Sequence, residues 1–230
     1  MNALSFLFAF GGALLLPGCG GDAPPAQRAH PARAAAPKAA GAPADLAIHS
    51  PDSASLEDVQ QQVLTQLHTD PLVGNLGHDF AHLTAIYQRS ILAGAQGELR
   101  AGRDPALRKI ATAVRSRAQR TGGEADRLAQ RLHGRGRNYQ PDDVNDPFTR
   151  GVRESLKLSF RAHPAAHLPD HDFAALLLAQ RQSEATIARA ALRTGKLPGP
   201  ARALARQVLA ERPTETQLLR AALTKDHPAR

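Results

Sequence analysis

Histidine is the side chain in this sequence best equipped for chemistry, and its distribution is uneven: of ten histidines, six fall in the corresponding stretches 68–82 and 163–171. His78 and His82 stand four residues apart, which on one helix puts both imidazoles on the same face and makes a workable edge of a Zn²⁺ or Cu²⁺ site. A carboxylate follows His78 as Asp79 and His171 as Asp172. His163, His167 and His171 recur every four residues, but Pro164 and Pro169 interrupt any helix that would align them. Two readings are open: a copper or zinc site drawn from His78, His82, His171 and Asp172, or histidines that enter helices and decorate loops. Ala175 stands where a counterpart of His82 would be, which counts against a symmetric site.

Other metal chemistry is excluded by counting. The chain has one Met, which is Met1, so a Met-rich copper site is out. With one Cys, so are a disulfide framework within the chain, a Cys-based zinc site and an iron–sulfur cluster.

Gln180 and Glu184 form a second candidate, because they share a stripe with Phe173, Leu177 and Ile187 and are therefore polar core candidates. A carboxylate there resembles a ferritin-type ligand, yet no Glu-x-x-His occurs anywhere and a di-iron centre needs it. The alternative places both at a bundle rim or beside Arg181 or Arg189. A third candidate is the run Arg115, Arg117, Arg120, Arg127, Arg131, Arg135 and Arg137, suited to anionic phospholipid, lipopolysaccharide or other anionic envelope polymers, or simply a solvated helix face. Nucleic acid is disfavoured, since no aromatics interleave with the basic residues to stack on bases. No nucleophile elbow, P-loop, Rossmann glycine pattern or H-E-x-x-H appears, so the expectation is a protein that is not an enzyme.

These residues must be carried by helices, since β-branched residues are few and no period-2 stretch stands out. The folded part contains an internal duplication at an offset of 93: Val59 matches Val152, Pro71 matches Pro164, His78-Asp79-Phe80 matches His171-Asp172-Phe173, and Gly102 matches Gly195. Past the prolines a one-residue shift brings Arg108, Ile110 and Ala111 opposite Arg202, Leu204 and Ala205. Each unit, residues 52–137 and 145–225, reads as a short helix, a loop bearing His and Pro, and a helical hairpin. The expected long helices are 76–101 and 104–132, with Gly122-Gly123 weakening the second, then one opened by Asp170 or Asp172 and stopped by Gly195. A further helix starts near Pro200 and is kinked or restarted at Pro213. Two such hairpins make an all-α, four-helix bundle, with short helices 55–68 and 147–161 packed against it.

Residues 3–16 are an uncharged apolar run of signal-peptide length, followed by Leu16-Pro17-Gly18-Cys19. This resembles the bacterial lipobox, with Leu16 and Gly18 fitting and Pro17 unusual. The expectation is a signal peptide over 1–18, a lipidated Cys19 and an Ala/Pro-rich tether over 19–51; an ordinary secretory signal with a chance Cys is the alternative. Acyl chains on Cys19 would anchor the protein to the membrane, facing the periplasm of a bacterial cell envelope, with Gly20 leaning towards the outer membrane.

The segment Asp172-Phe173-Ala174-Ala175-Leu176-Leu177-Leu178-Ala179-Gln180-Arg181-Gln182 resembles the opening helix of the domain-of-unknown-function-305 family, D-F-x-x-x-M-x-x-H-H-Q. Gly195, Arg202, Leu204, Ala205, Val208 and Glu215 resemble its G…x-R-x-L-A-x-x-I…E portion. The resemblance implies a ferritin-like, extracytoplasmic bundle, copper-associated in places. At the family's paired-His position, however, this chain has Gln180-Arg181 and Tyr87-Gln88, so the implied metal ligands do not carry over. The function expected is a non-catalytic binding or scaffold lipoprotein that meets an envelope protein or polymer, the alternatives being copper or zinc handling through the histidine loops and an uncharacterised enzyme.

Overall fold

The computed structural model describes residues 56–161, 168–210 and 213–225. Seven helices account for most of them: α1 (Leu56–Thr69), α2 (Leu76–Ala101), α3 (Pro105–Leu132), α4 (Pro147–Arg161), α5 (Pro169–Arg193), α6 (Gly199–Val208) and α7 (Pro213–Lys225). No strand occurs among the described residues, and no described helix is long and apolar enough to cross a membrane. The all-α expectation holds.

Local chemistry sets the boundaries. The Asn75 side chain accepts from the His78 N–H and caps α2; Asp104 accepts from Ala106 and Leu107 and caps α3, with Pro105 in the first turn. Neither Asp170 nor Asp172 caps α5, contrary to expectation. Pro169 takes the first helical position, so Leu168 becomes the cap residue and makes no side-chain bond. Asp170 instead accepts the backbone N–H groups of Arg103 (2.9 Å) and Asp104 (3.0 Å), closing the α2–α3 turn. Gly195 leaves α5 at φ +69°, a conformation open to glycine at no steric cost.

The expected weakening at Gly122-Gly123 does not occur, and α3 runs unbroken to Leu132. A Cβ on Gly122 would meet the Gln88 Cβ at 3.3 Å, so this glycine serves close approach of α3 to α2. The Pro213 interruption does occur: α6 ends at Val208 and α7 restarts at Pro213.

α2 and α5 form the central pair and run antiparallel. Gly77, at the start of α2, lies against Pro198 just beyond α5, whereas Gly94, late in α2, lies against Leu176 early in α5. α3 packs along α2, α4 along α5, α1 on α2, and α6 and α7 on α5. α5 begins 93 residues after α2, and α6 begins 94 after α3, the same offsets as the sequence repeat.

The core is two apolar clusters with a polar belt between them. One holds Phe80, Ile86, Leu128, Phe148, Ile187 and Leu204; the other holds Ile91, Leu107, Val114, Phe173, Leu177 and Leu219. Between them α2 and α5 bury Gln88, Ser90, Gln180, Ser183 and Glu184. Tyr87 donates to the Ser155 Oγ (3.2 Å), Ser183 donates to the Ser155 carbonyl (3.0 Å), and Ser159 and Ser183 join hydroxyls at 2.9 Å. Burial of these four hydroxyls is tolerated because they are bonded to one another.

Small residues let the helices come this close. A Cβ on Gly151 of α4 would sit 2.3 Å from the Ala190 Cβ of α5, whereas one on Gly123 would meet nothing nearer than the Arg127 Nη1 at 3.5 Å. Gly151→Ala is therefore expected to destabilise by about 1–3 kcal/mol through overpacking. Gly123→Ala should stabilise by up to about 1 kcal/mol through helix propensity. Urea unfolding midpoints of the two variants check this; equal shifts of the same sign would contradict it.

Candidate functional site

Asp79 anchors the end of the molecule where α2 begins. Its carboxylate is almost fully buried and accepts four bonds: the N–H groups of Val73 (3.1 Å) and Gly74 (3.0 Å), the Tyr139 hydroxyl (2.6 Å) and the His78 Nδ1 (2.8 Å). Burial, and next the bond to Asp79, push the Tyr139 phenol pKa far up. Held in this way, the His78 Nε2 faces the His133 Nδ1 at 3.4 Å.

His82 lies beside His78, as the i, i+4 spacing requires, with the rings stacked at 5.9 Å and 14°. Its Nε2 is bonded to Asp70 at 3.0 Å, so the two imidazoles present faces to each other while their nitrogens engage separate carboxylates. Among the described residues no group of three or more His, Cys, Asp or Glu is placed to hold a metal ion.

His171 and Asp172 lie at the opposite end. Asp170 touches the turn after α2, and the stretch of α2 from His78 to Gly102 puts that turn roughly 36 Å away at 1.5 Å per residue. The histidine-bearing starts of α2 and α5 cannot meet, because the antiparallel pairing holds them apart. This corrects the grouping of His78 and His82 with His171 and Asp172 in one site. His171 and Asp172 pair with each other at 3.5 Å. Cys19, His163 and His167 lie outside the described residues.

Gln180 and Glu184 are inside the α2–α5 interface, not at a rim. Glu184 accepts from the Gln88 Nε2 at 2.7 Å. The Gln180 Oε1 is buried and meets no hydrogen-bond donor among the described residues. Of the arginines suggested as their partners, Arg181 bonds Glu215 and also feels the Glu184 charge, while Arg189 is exposed.

Glu98, at the far end of α2, is fully buried. Burial first, then the neighbouring Asp170 carboxylate, raise its pKa to about 8 from 4.5.

Beside the polar belt a cleft of about 580 Å³ opens between α3, α5 and the α6–α7 break. Arg117, Arg181, Arg189 and Arg220 line it, against one lining carboxylate among the described residues, Glu184; Ile91, Val114 and Leu209 supply apolar wall. Two of the guanidiniums, from α3 and α5, converge on Glu215 in the first turn of α7. Both Nη atoms of Arg117 lie 3.4 Å from the Glu215 Oε2, and the Arg181 Nη2 bonds its Oε1. Of the arginines between 115 and 137, only Arg117 is not exposed.

Comparison with protein-family models, with curated proteins and with solved structures finds no match to this chain.

Sequence reasoning reached Arg117, Arg181 and Glu215 separately but not their convergence, which joins three helices across 98 residues of chain. It missed Asp70, His133 and Tyr139 because each is brought to the α2 terminus by a loop or helix end with no periodic signal.

Tyr139→Phe removes a hydrogen bond to a buried carboxylate and is expected to cost about 1.5–3 kcal/mol in urea unfolding; a neutral effect would contradict the anchoring role of Asp79. For Glu98, the folded state keeps a proton up to about pH 8 that the unfolded chain releases near 4.5. The folded state thus binds the extra proton throughout this window, and the Glu98 contribution to stability falls as pH rises through it. Glu98→Gln should flatten that decline in melting temperature; an unchanged profile would refute it.

Proposed function

We propose that this chain is a bacterial cell-envelope lipoprotein, anchored through Cys19 and facing the periplasm, whose helical body is a non-catalytic binding module. In this reading the body is a distant, ferritin-like relative of the domain-of-unknown-function-305 bundles without their metal ligands, consistent with Gln180-Arg181 and Tyr87-Gln88 at the paired-His position. The observation that carries the binding reading is the cleft of about 580 Å³, which is within the usual size range of ligand sites, about 300–1,000 Å³. Its mixed lining also fits a binding role, with apolar wall for a ligand body and a few polar groups to orient it. The exposed arginines of α3 suit a surface that lies near anionic envelope polymers or lipid headgroups.

Anchoring rests on the apolar run 3–16 and Cys19. Metabolic labelling with palmitate is expected to mark the wild-type chain and not Cys19→Ser; equal labelling of both would overturn the anchor. Binding is checked on the full chain in nanodiscs of neutral phosphatidylcholine, with a diazirine-bearing octyl glucoside as photolabel. Adducts are expected on cleft-facing residues of α3, α5 and α7 and should be lost in Ala185→Trp, which fills the cleft from α5. An adduct pattern unchanged by Ala185→Trp would sink the binding-module reading.

A further inference from the structure

The contact that closes one wall of the cleft also indicates what the cleft is built to hold. Two guanidiniums with five N–H donors each share the carboxylate of Glu215, with the Glu184 charge also acting on Arg181, so the clamp holds more donors than its occupant satisfies. Planar forks of this kind match the paired oxygens of a carboxylate or phosphate. Burial lowers the Arg181 pKa while Glu215 opposes that shift, so an anion in this position stabilises the charged guanidinium. At the mouth, Arg189 and Arg220 are exposed, and among the described residues neither is ion-paired with a carboxylate.

The occupant sits on a lightly held element. α7 is separated from α6 by the break after Val208, and it opens at Pro213, which has no N–H to tie it back. Leu219 and Ala222 are buried and Leu223 packs against the same core, with Leu218 exposed. Glu215 is thus a carboxylate on a short helix, resting on a clamp beside an amphipathic cleft.

We infer that the cleft takes an amphiphile with an anionic oxygen headgroup, carboxylate or phosphate, and that this headgroup displaces Glu215 from Arg117 and Arg181 and releases α7. The inference rests on the binding-module reading and adds the ligand class and the moving part. The ligand's apolar body lies along Ile91, Val114 and Leu209, and the rim arginines draw the anion in. Glu215 is an intramolecular competitor at high effective concentration, so wild-type affinity is held down by the arm it must displace.

The test uses the full chain in neutral phosphatidylcholine nanodiscs, with octanoate, octyl phosphate and octyl glucoside competing against the same photolabel. Octanoate or octyl phosphate should compete at concentrations about tenfold below octyl glucoside, and whichever is stronger identifies a carboxylate or phosphate source. Glu215→Gln, a near-isosteric change, should tighten the anionic competitor about tenfold and leave octyl glucoside unaffected. Hydrogen exchange across Thr214–Lys225 should quicken when the anion binds wild type, and be already fast in Glu215→Gln without it. Arg181→Lys keeps the charge but loses the fork, and should weaken the anion at least several-fold. Equal competition by neutral and anionic amphiphiles, or an anion affinity unmoved by Glu215→Gln, overturns the clamp inference while the photolabel pattern leaves the binding-module reading standing. Loss of the Ala185→Trp effect would take both down.

Discussion

Where α2 crosses α5, Gly94 leaves room for Leu176, and within two turns Gln88 donates a hydrogen to Glu184. The two helices are rich in alanine, and two such surfaces can slide past each other with little change in apolar burial. The buried bond from Gln88 to Glu184 removes that freedom, because both groups lose their partner when the register shifts. Everything else is hung on this pair: α1 and α3 on α2, and α4, α6 and α7 on α5.

The same pairing sorts the chemistry of the molecule in space. Because α2 and α5 are antiparallel, residues that correspond in the duplication are sent to opposite ends, and residues near the middle of each helix are brought together. The histidines belong to the first class. His78 serves a buried Asp79 that ties down the loop before α2, and His171 sits with Asp172 about a helix length away. Gln88 and Glu184 belong to the second class, and the cleft beside them gathers charge from α3, α5 and α7.

Helix positions were legible in the sequence to within a residue or two, as for 76–101 and 147–161, because caps, prolines and a 3–4 apolar spacing act locally. Gly122-Gly123 misled for the reason that a glycine's role depends on what lies opposite, here Gln88, which no local pattern reports. The candidate site was legible only as parts. Pairing across α2 and α5, the turn-closing role of Asp170 and the meeting of Arg117, Arg181 and Glu215 are all products of topology. The histidine spacing was real and its chemistry was not readable, since stacked rings satisfied by Asp79 and Asp70 have the same sequence as rings that converge on an ion.

α3 and the α6–α7 arm stand at corresponding places in the two halves, yet they are different mechanical parts. α3 is a continuous strut of 28 residues, stiff along its whole length. Its counterpart is two rods of 10 and 13 residues with a joint between them. A continuous rod gives the cleft one unbroken wall, whereas two shorter rods leave an opening where one ends and the next begins. One flank is thus a single rod and the other is two, and the difference traces to a proline that one half carries and the other lacks.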